Sequence, residues 1–285
     1  MYEVETLVQK SINKINVSCA IIIVNKYKKV KILGLTISEW LKREFSNNPV
    51  FEIDLKAKDD LRSKVLPYCN NFDYIMIIYN NTPYITKSIV AKVIEYVSIK
   101  QSNACKLHSG AVYNSRYYVS NPNCMFDNFY MQGEDAFVSV ETPQEIAQAE
   151  KNFSKRVINT LQAKGVIFQN PMNTVVSPLC DIGRGTTILN NCVIQGKTII
   201  GKDCLIHNNS SISDSKIGDG SSVSNSNIIK SKIGKNVLVS PYCNVIKSTI
   251  GDNSTIGYYC VIDTYRLKKG SLIADRNTLK KEEDK

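Results

Sequence analysis

The apolar run YIMIIY at residues 74–79 ends in NNTP, residues 80–83. In an open α/β sheet, ligands and reacting groups collect beyond the carboxyl ends of the strands, so Asn80, Asn81 and Thr82 stand where binding chemistry is expected. Their types restrict that chemistry. An amide donates and accepts hydrogen bonds but carries no charge, whereas Mg²⁺ is held through carboxylates and phosphate oxygens. A second set is Lys26, Lys28, Lys29 and Lys31, which suit phosphate as point charges or form a solvated edge. The histidines are His108 and His207, and His207 is the candidate base of the C-terminal half. Nine cysteines include no C-x-x-C pair, which argues against a disulfide framework.

These residues need elements to hold them. VSCAIIIV (17–24), PVFEIDL (49–55) and YIMIIY (74–79) read as strands, alternating with helices over 36–45, 58–66 and 87–100 in the manner of βαβ units. Thr36 and Glu39 are spaced as a capping box. ACKLH and GAVYN suggest a short β pair, which puts His108 on a strand. A long helix over 142–165 has well-marked ends: Thr142 as N-cap, Pro143 in the first turn, Glu145 as capping partner and Gly165 as stop. What is missing is a glycine-rich turn after the first strand, whose bare amides would close around a pyrophosphate. The chain reads NKYKKVKILG there, with no glycine between Val17 and Leu33.

The C-terminal half repeats. Aliphatic residues recur every six positions from Val176 to Ile212, then continue in shortened groups as Ile217, Val223, Ile229; Ile233, Val239, Val245; Ile250, Ile256, Ile262; and Leu267, Ile273. Each hexad supplies one short strand and one turn, and three make a coil, so the period predicts a parallel β-helix of triangular section. The residue two places before each aliphatic, counted as the fourth after the preceding one, shares its face and must be small. Five cysteines (Cys180, Cys192, Cys204, Cys243 and Cys260) fall there with Thr186, Ser221 and Thr249, among others. They read as core residues rather than ligands or nucleophiles.

Composition adds bounds. At 285 residues, 43% hydrophobic and 22% charged, the chain has material for two globular domains. The net charge of +10 is spread: residues 1–166 carry 21 basic against 16 acidic side chains, and residues 167–285 carry 15 against 10. Without a block of like charge, neither nucleic acid nor a membrane surface is indicated as a partner. The opening MYEVETLVQKSINK is amphipathic and acid-bearing rather than a signal peptide, and no apolar run approaches the ~20 residues that span a bilayer, so a cytoplasmic protein is expected.

The long helix, the stretch KGVIFQNPMNT and the IG-headed hexads around IQGKTIIG resemble the bifunctional N-acetylglucosamine-1-phosphate uridyltransferase/glucosamine-1-phosphate acetyltransferase family over about 134–273, and more weakly over 17–86. The resemblance implies an α/β nucleotidyltransferase-like (Rossmann-like) domain followed by a left-handed parallel β-helix of hexapeptide repeats, assembled as a homotrimer. Divided accordingly, 1–141 is a reduced nucleotidyltransferase-like domain, 142–165 a linking arm helix, 166–274 the β-helix and 275–285 a charged tail. Lys29 falls where the family has a substrate-phosphate lysine. YNNTP stands for Tyr-Gly-Asp-x-Pro, so Asn80 and Thr82 fall at substrate-binding positions and Asn81 replaces the Mg²⁺ aspartate. Gln144 falls at the second metal position. In the acetyltransferase half, Asp263 and Thr264 replace phosphate-binding lysines, and SLIADRN stands where the catalytic histidine belongs.

With both sets altered, the resemblance implies a catalytically impaired protein that binds a sugar nucleotide or sugar phosphate, or serves as a trimeric scaffold. One alternative is an active nucleotidyltransferase forming a nucleotide sugar, its Mg²⁺ held by another carboxylate such as Asp73. The other is a hexapeptide-repeat acyltransferase using His207.

Overall fold

Seven residues, Cys19–Asn25, form strand β1, and the five from Ala20 to Val24 are at most 1% exposed. A strand apolar along its whole length must be covered on both faces, as happens in parallel sheets with helices above and below. The computed structural model describes residues 17–130 and 134–280, which fall into two units, residues 1–149 and 150–285. The amphipathic opening of the chain (through residue 16) and residues 281–285 of the expected tail lie outside the described residues.

In the first unit β1 is paired in parallel with β4 (Val50–Asp54) on one side and β5 (Tyr74–Tyr79) on the other. Beyond β5 the sheet turns antiparallel through β7 (Ala111–Asn114), then β6 (Ala104–Lys106), with β8 (Asn128–Phe129) parallel to β6 at the edge. The order β4-β1-β5-β7-β6-β8 makes the gap between β1 and β5 the point where chain direction across the sheet reverses. Helix α1 (Ile37–Glu44) starts at the expected capping box, with Thr36 accepting from the Glu39 amide and Glu39 accepting from Thr36. Helices α2 (Leu61–Val65), α3 (Lys87–Ile99) and α4 (Ser115–Ser120) follow, capped by Asp60, Thr86 and Asn114.

Where the glycine-rich turn is missing, the end of NKYKKVKILG opens a hairpin. β2 (Lys31–Ile32) and β3 (Leu35–Thr36) pair antiparallel across Leu33 and Gly34. Both turn residues have positive φ, 50° and 86°, as a two-residue hairpin turn of the right twist requires. His108 lies in the turn between β6 and β7 rather than on a strand, and is exposed.

Helix α5 (Pro143–Ala163) begins with the predicted reciprocal cap: Thr142 N–H donates to Glu145 at 2.9 Å, and Glu145 N–H to Thr142 Oγ1 at 3.3 Å. In the second unit Ile158 and Leu161 of α5 pack into the core of a left-handed parallel β-helix of about seven turns. Three all-parallel sheets of seven, six and seven short strands form its walls. The last strand, Thr278–Lys280, pairs with Val261–Asp263, so the wall continues past residue 274. Most corners are turned by a residue of positive φ, stacked in columns. One column reads Asn191, Asn209, Asn225, Tyr242, Tyr259 and Arg276. Asparagine tolerates this region, but the two tyrosines do not favour it, and their exposed rings stack at 4.9 Å.

Two inward positions differ from the sequence expectation. Ile228, fully buried, faces the core and Ile229 does not; likewise Ser248 is inward and Thr249 is not. The cause is a five-residue step at each of two corners. Val223 to Ile228 takes five residues instead of six, and between Val245 and Ile250 the fourth residue after the aliphatic, Thr249, is no longer the second before the next, Ser248. Pleating decides the matter, because only the residue two places before shares the face. At the second of these corners Ser215, Ser231 and Ser248 point inward, each hydroxyl reaching a carbonyl two residues earlier at 2.7–2.8 Å. Each also accepts from the next rung: Ser231 N–H donates to Ser215 Oγ and Ser248 N–H to Ser231 Oγ, both at 3.0 Å. The hydroxyl column supplies hydrogen bonds that a shortened turn cannot make with backbone alone.

Candidate functional site

At the carboxyl ends of β1 and β5 lie Asn25–Tyr27 and Tyr79–Thr82, the region singled out in the sequence. Asn80 is 3% exposed. Its Oδ1 accepts from the amides of Lys26 (3.2 Å) and Tyr27 (3.0 Å), and its Nδ2 donates to the Tyr27 carbonyl at 2.9 Å. Every polar atom of this side chain is therefore engaged with the turn after β1. Tyr27 and Tyr79 meet edge to face at 5.8 Å, and the Lys26 ammonium lies 5.8 and 6.0 Å from the two ring centres. Thr82, fully buried, returns its hydroxyl to the Tyr79 carbonyl at 2.7 Å.

Asn81 behaves differently. It is 2% exposed, its carbonyl accepts from Val140 N–H at 2.7 Å, and its Nδ2 donates to Glu141 Oε1 at 2.8 Å. Its Oδ1 is buried without a partner. A carboxylate only accepts, so Glu141 obliges the amide to turn its NH₂ toward it. The amide oxygen and the carboxylate thus point apart. A Mg²⁺ ion would need both oxygens aimed at one point, together with further oxygen ligands. The residues present do not fit that ion, and no group of three or more His, Cys, Asp or Glu side chains suited to a metal occurs among the described residues. Gln144 lies exposed in the first turn of α5.

Lys29 is exposed and lines a recess of about 540 Å³ with Asn25, Lys42, Glu52 and Tyr68. Asn25 organises that recess, donating to Glu52 at 2.6 Å and Asp54 at 2.9 Å while accepting from Ser38 at 2.9 Å. Asp73, the alternative metal carboxylate, precedes the amino end of β5, and is bound there by Ser18 N–H and Oγ at 2.9 and 2.8 Å. The length of a six-residue strand, ~20 Å, separates it from Asn81.

In the second unit His207 is half-buried, its amide donating to the Val223 carbonyl at 2.8 Å and its carbonyl receiving the Cys192 thiol at 3.1 Å. On the adjoining rungs Leu189 and Ser224 hold the equivalent place, so the column brings no acidic or second basic group to the imidazole. Asp263 and Thr264 form a corner, with Thr264 at φ 53° and its hydroxyl donating to Asp263 at 2.9 Å. Burial raises the thiols of Cys180 and Cys243 to about 11, which keeps them protonated and inert.

Glu141 was not singled out in the sequence, since it pairs with a residue 60 positions away. Its place just before the N-cap Thr142 was the signal that could have drawn attention to it.

Comparison with known proteins bears on the second unit. Residues 179–214 match the family described as "Bacterial transferase hexapeptide (six repeats)", and residues 206–285 match "GlmU-like, C-terminal hexapeptide". The chain is 38% identical over 108 residues to "Bifunctional protein GlmU" of Clostridioides difficile, a match covering 38% of this chain and 24% of that protein. It is 40% identical over 108 residues to the protein of the same description from Thermoanaerobacter pseudethanolicus, with the same coverage. The chain thus spans about a quarter of the length of these curated relatives. Among solved structures, a perosamine N-acetyltransferase mutant from Caulobacter crescentus, in complex with CoA and GDP-perosamine, aligns with 90% of this chain and 93% of its own at 12% identity and a TM-score of 0.21. A UDP-N-acetylglucosamine O-acyltransferase from Moraxella catarrhalis aligns with 39% of this chain and 63% of its own at 17% identity and a TM-score of 0.18. Superpositions this loose carry no argument about either unit.

Proposed function

The C-terminal half of this chain is a GlmU-related hexapeptide β-helix, and from that premise we propose that the protein is a divergent relative of UDP-N-acetylglucosamine pyrophosphorylases, impaired in nucleotidyl transfer, that binds a sugar nucleotide or sugar phosphate. The reading rests on the Asn80 side chain. A phosphate-binding turn works by leaving backbone N–H groups free to surround an anion. Here the amides of Lys26 and Tyr27 already donate to Asn80, inside the gap between β1 and β5 where such an anion would sit. Nucleotidyl transfer depends on positioning and charge stabilisation rather than on covalent chemistry of the protein, so a filled cradle and an uncharged Asn81 remove its main sources of rate.

Binding without turnover asks for less. Lys29 borders a recess wide enough for a sugar ring and its phosphate. Lys42 is paired there with Glu52, and Asn25 donates to Glu52 and Asp54, so Lys29 is the cation left for a phosphate and the carboxylates suit sugar hydroxyls. The β-helix is of a type common in trimers, and a homotrimer would present three such recesses.

The test has two parts. Pyrophosphate release is followed with Mg²⁺, uridine triphosphate and N-acetylglucosamine 1-phosphate; a flat trace is expected, and turnover overturns the impairment. Calorimetry with UDP-N-acetylglucosamine is expected to show saturable heat that Lys29→Ala weakens. No heat at millimolar ligand, with a trimer in sedimentation, leaves scaffolding as the role.

A further inference from the structure

The opposite edge of the same sheet carries a second recess. Because β7 runs antiparallel to β5, Tyr74 at the start of β5 faces Asn114 at the end of β7. Ser18 before β1, the turn Asn70–Asp73 and the first residues of α4 therefore converge at the amino edge. They border an open recess of about 770 Å³, within the range of small-molecule sites.

Its floor is rigid. Asp73 Oδ2 accepts from Ser18 N–H and Oγ, the Asp73 amide returns to Ser18 Oγ at 3.0 Å, and Ser115 N–H donates to the Asp73 carbonyl at 2.9 Å. On that floor Ser115 is 2% exposed, yet its hydroxyl has no hydrogen-bond partner. A buried hydroxyl without a partner is costly, and a ligand hydroxyl or oxygen entering the recess would supply the missing bond. The wall supplies the remaining chemistry. Arg116 is the cation, close enough to hold the Asp73 carboxyl further below its usual range after the Ser18 hydrogen bonds. Asn70 and Asn71 each offer an amide donor and an acceptor, and Phe72 offers an apolar ring.

One cation beside one carboxylate does not favour a bare anion, because the carboxylate repels it. A ligand with an anionic group for Arg116 and hydroxyls for Asp73 and the amides satisfies both charges. We infer that this recess is a second ligand site, separate from the β1–β5 edge, and that it takes a monosaccharide phosphate.

The test is amide-detected NMR titration of the full chain with glucose 1-phosphate, inorganic phosphate and glucose in parallel. The expected result is saturable shifts at Asn71, Ser115 and Arg116 with glucose 1-phosphate, and at least tenfold weaker binding of the other two. Arg116→Ala is expected to weaken binding at least tenfold; Arg116 is exposed, so the fold is retained. Ser115→Ala, which removes the unpaired hydroxyl, is expected to weaken it several-fold. Lys29→Ala should leave these shifts in place. The inference fails if no shifts arise at millimolar ligand, if phosphate alone binds as tightly, or if Arg116→Ala binds normally. Shifts confined to Asn25 and Lys29, and lost in Lys29→Ala, also refute it while leaving the proposed function intact.

Discussion

Replacing Asn80 by alanine removes the contact that most sharply distinguishes this α/β edge from a phosphate cradle. Three hydrogen bonds are lost. Lys26 N–H keeps the Val24 carbonyl at 3.1 Å, so the loss falls on the N–H and C=O of Tyr27. A fully buried orphan costs about 1–3 kcal/mol, but Tyr27 is 37% exposed and water can reach part of its backbone. The expected destabilisation is therefore about 1–2 kcal/mol, or roughly 3–8 °C in the melting temperature of a unit of this size. The more direct readout is hydrogen exchange at the Tyr27 amide, expected to accelerate by about 5–30-fold. The freed Tyr27 donor should then respond to anions, with pyrophosphate slowing Tyr27 exchange in the variant and not in the parent. Asn80→Asp retains the acceptor but sets a carboxylate oxygen against the Tyr27 carbonyl, and should destabilise without creating an anion response. Unchanged Tyr27 exchange in Asn80→Ala would refute the claim that this side chain occupies the cradle.

Other perturbations test separate parts of the structure. Ser231→Ala leaves the buried Ser248 amide without its acceptor and should cost the β-helix about 1–3 kcal/mol in urea unfolding, whereas Ser222→Ala on an outer face should cost under about 0.5 kcal/mol. Asn81→Asp puts a second carboxylate against Glu141, so the melting temperature should fall near neutral pH and recover on mild acidification; no change at neutral pH would show that the pair is not in contact. Asp73 is held below the usual carboxyl range chiefly by the Ser18 amide and then by the Ser18 hydroxyl. A depressed folded-state value contributes stability above the ordinary range, about pH 4, and loses it as pH falls through the folded value. Asp73→Asn should accordingly flatten the acid limb of melting temperature against pH.

The two units differ in how much of them the sequence discloses. The β-helix was readable because one physical demand, a dry narrow interior, repeats at fixed intervals and marks itself in residue type. It failed at Ile229, where a five-residue step stands in place of the six the pattern repeats, and at Thr249, where such a step separates two counting rules that otherwise agree. In the α/β unit the apolar runs and caps placed the main strands and helices. The hairpin across Leu33–Gly34 and helix Ser115–Ser120 left no comparable periodic signal. The site was half legible. The type of residue at Asn80 and Asn81 showed a missing charge, but not that Asn80 closes onto the preceding turn, nor that Glu141 returns from 60 residues away. Such pairings depend on chain path, which local pattern does not encode.

The serine column has a consequence for the length of the chain. Ser231 and Ser248 occupy equivalent places on neighbouring rungs, 17 residues apart. Excising residues 231–247 would join Lys230 to Ser248 with every later side chain still on its original wall, giving a shorter prism with the same pattern of hydroxyls. Removing a single residue from that interval would instead turn the following strand over, exposing Ile250 and burying Thr249. This half of the protein can therefore gain or lose length in whole coils, while deletions of intermediate size are barred by the geometry of one corner.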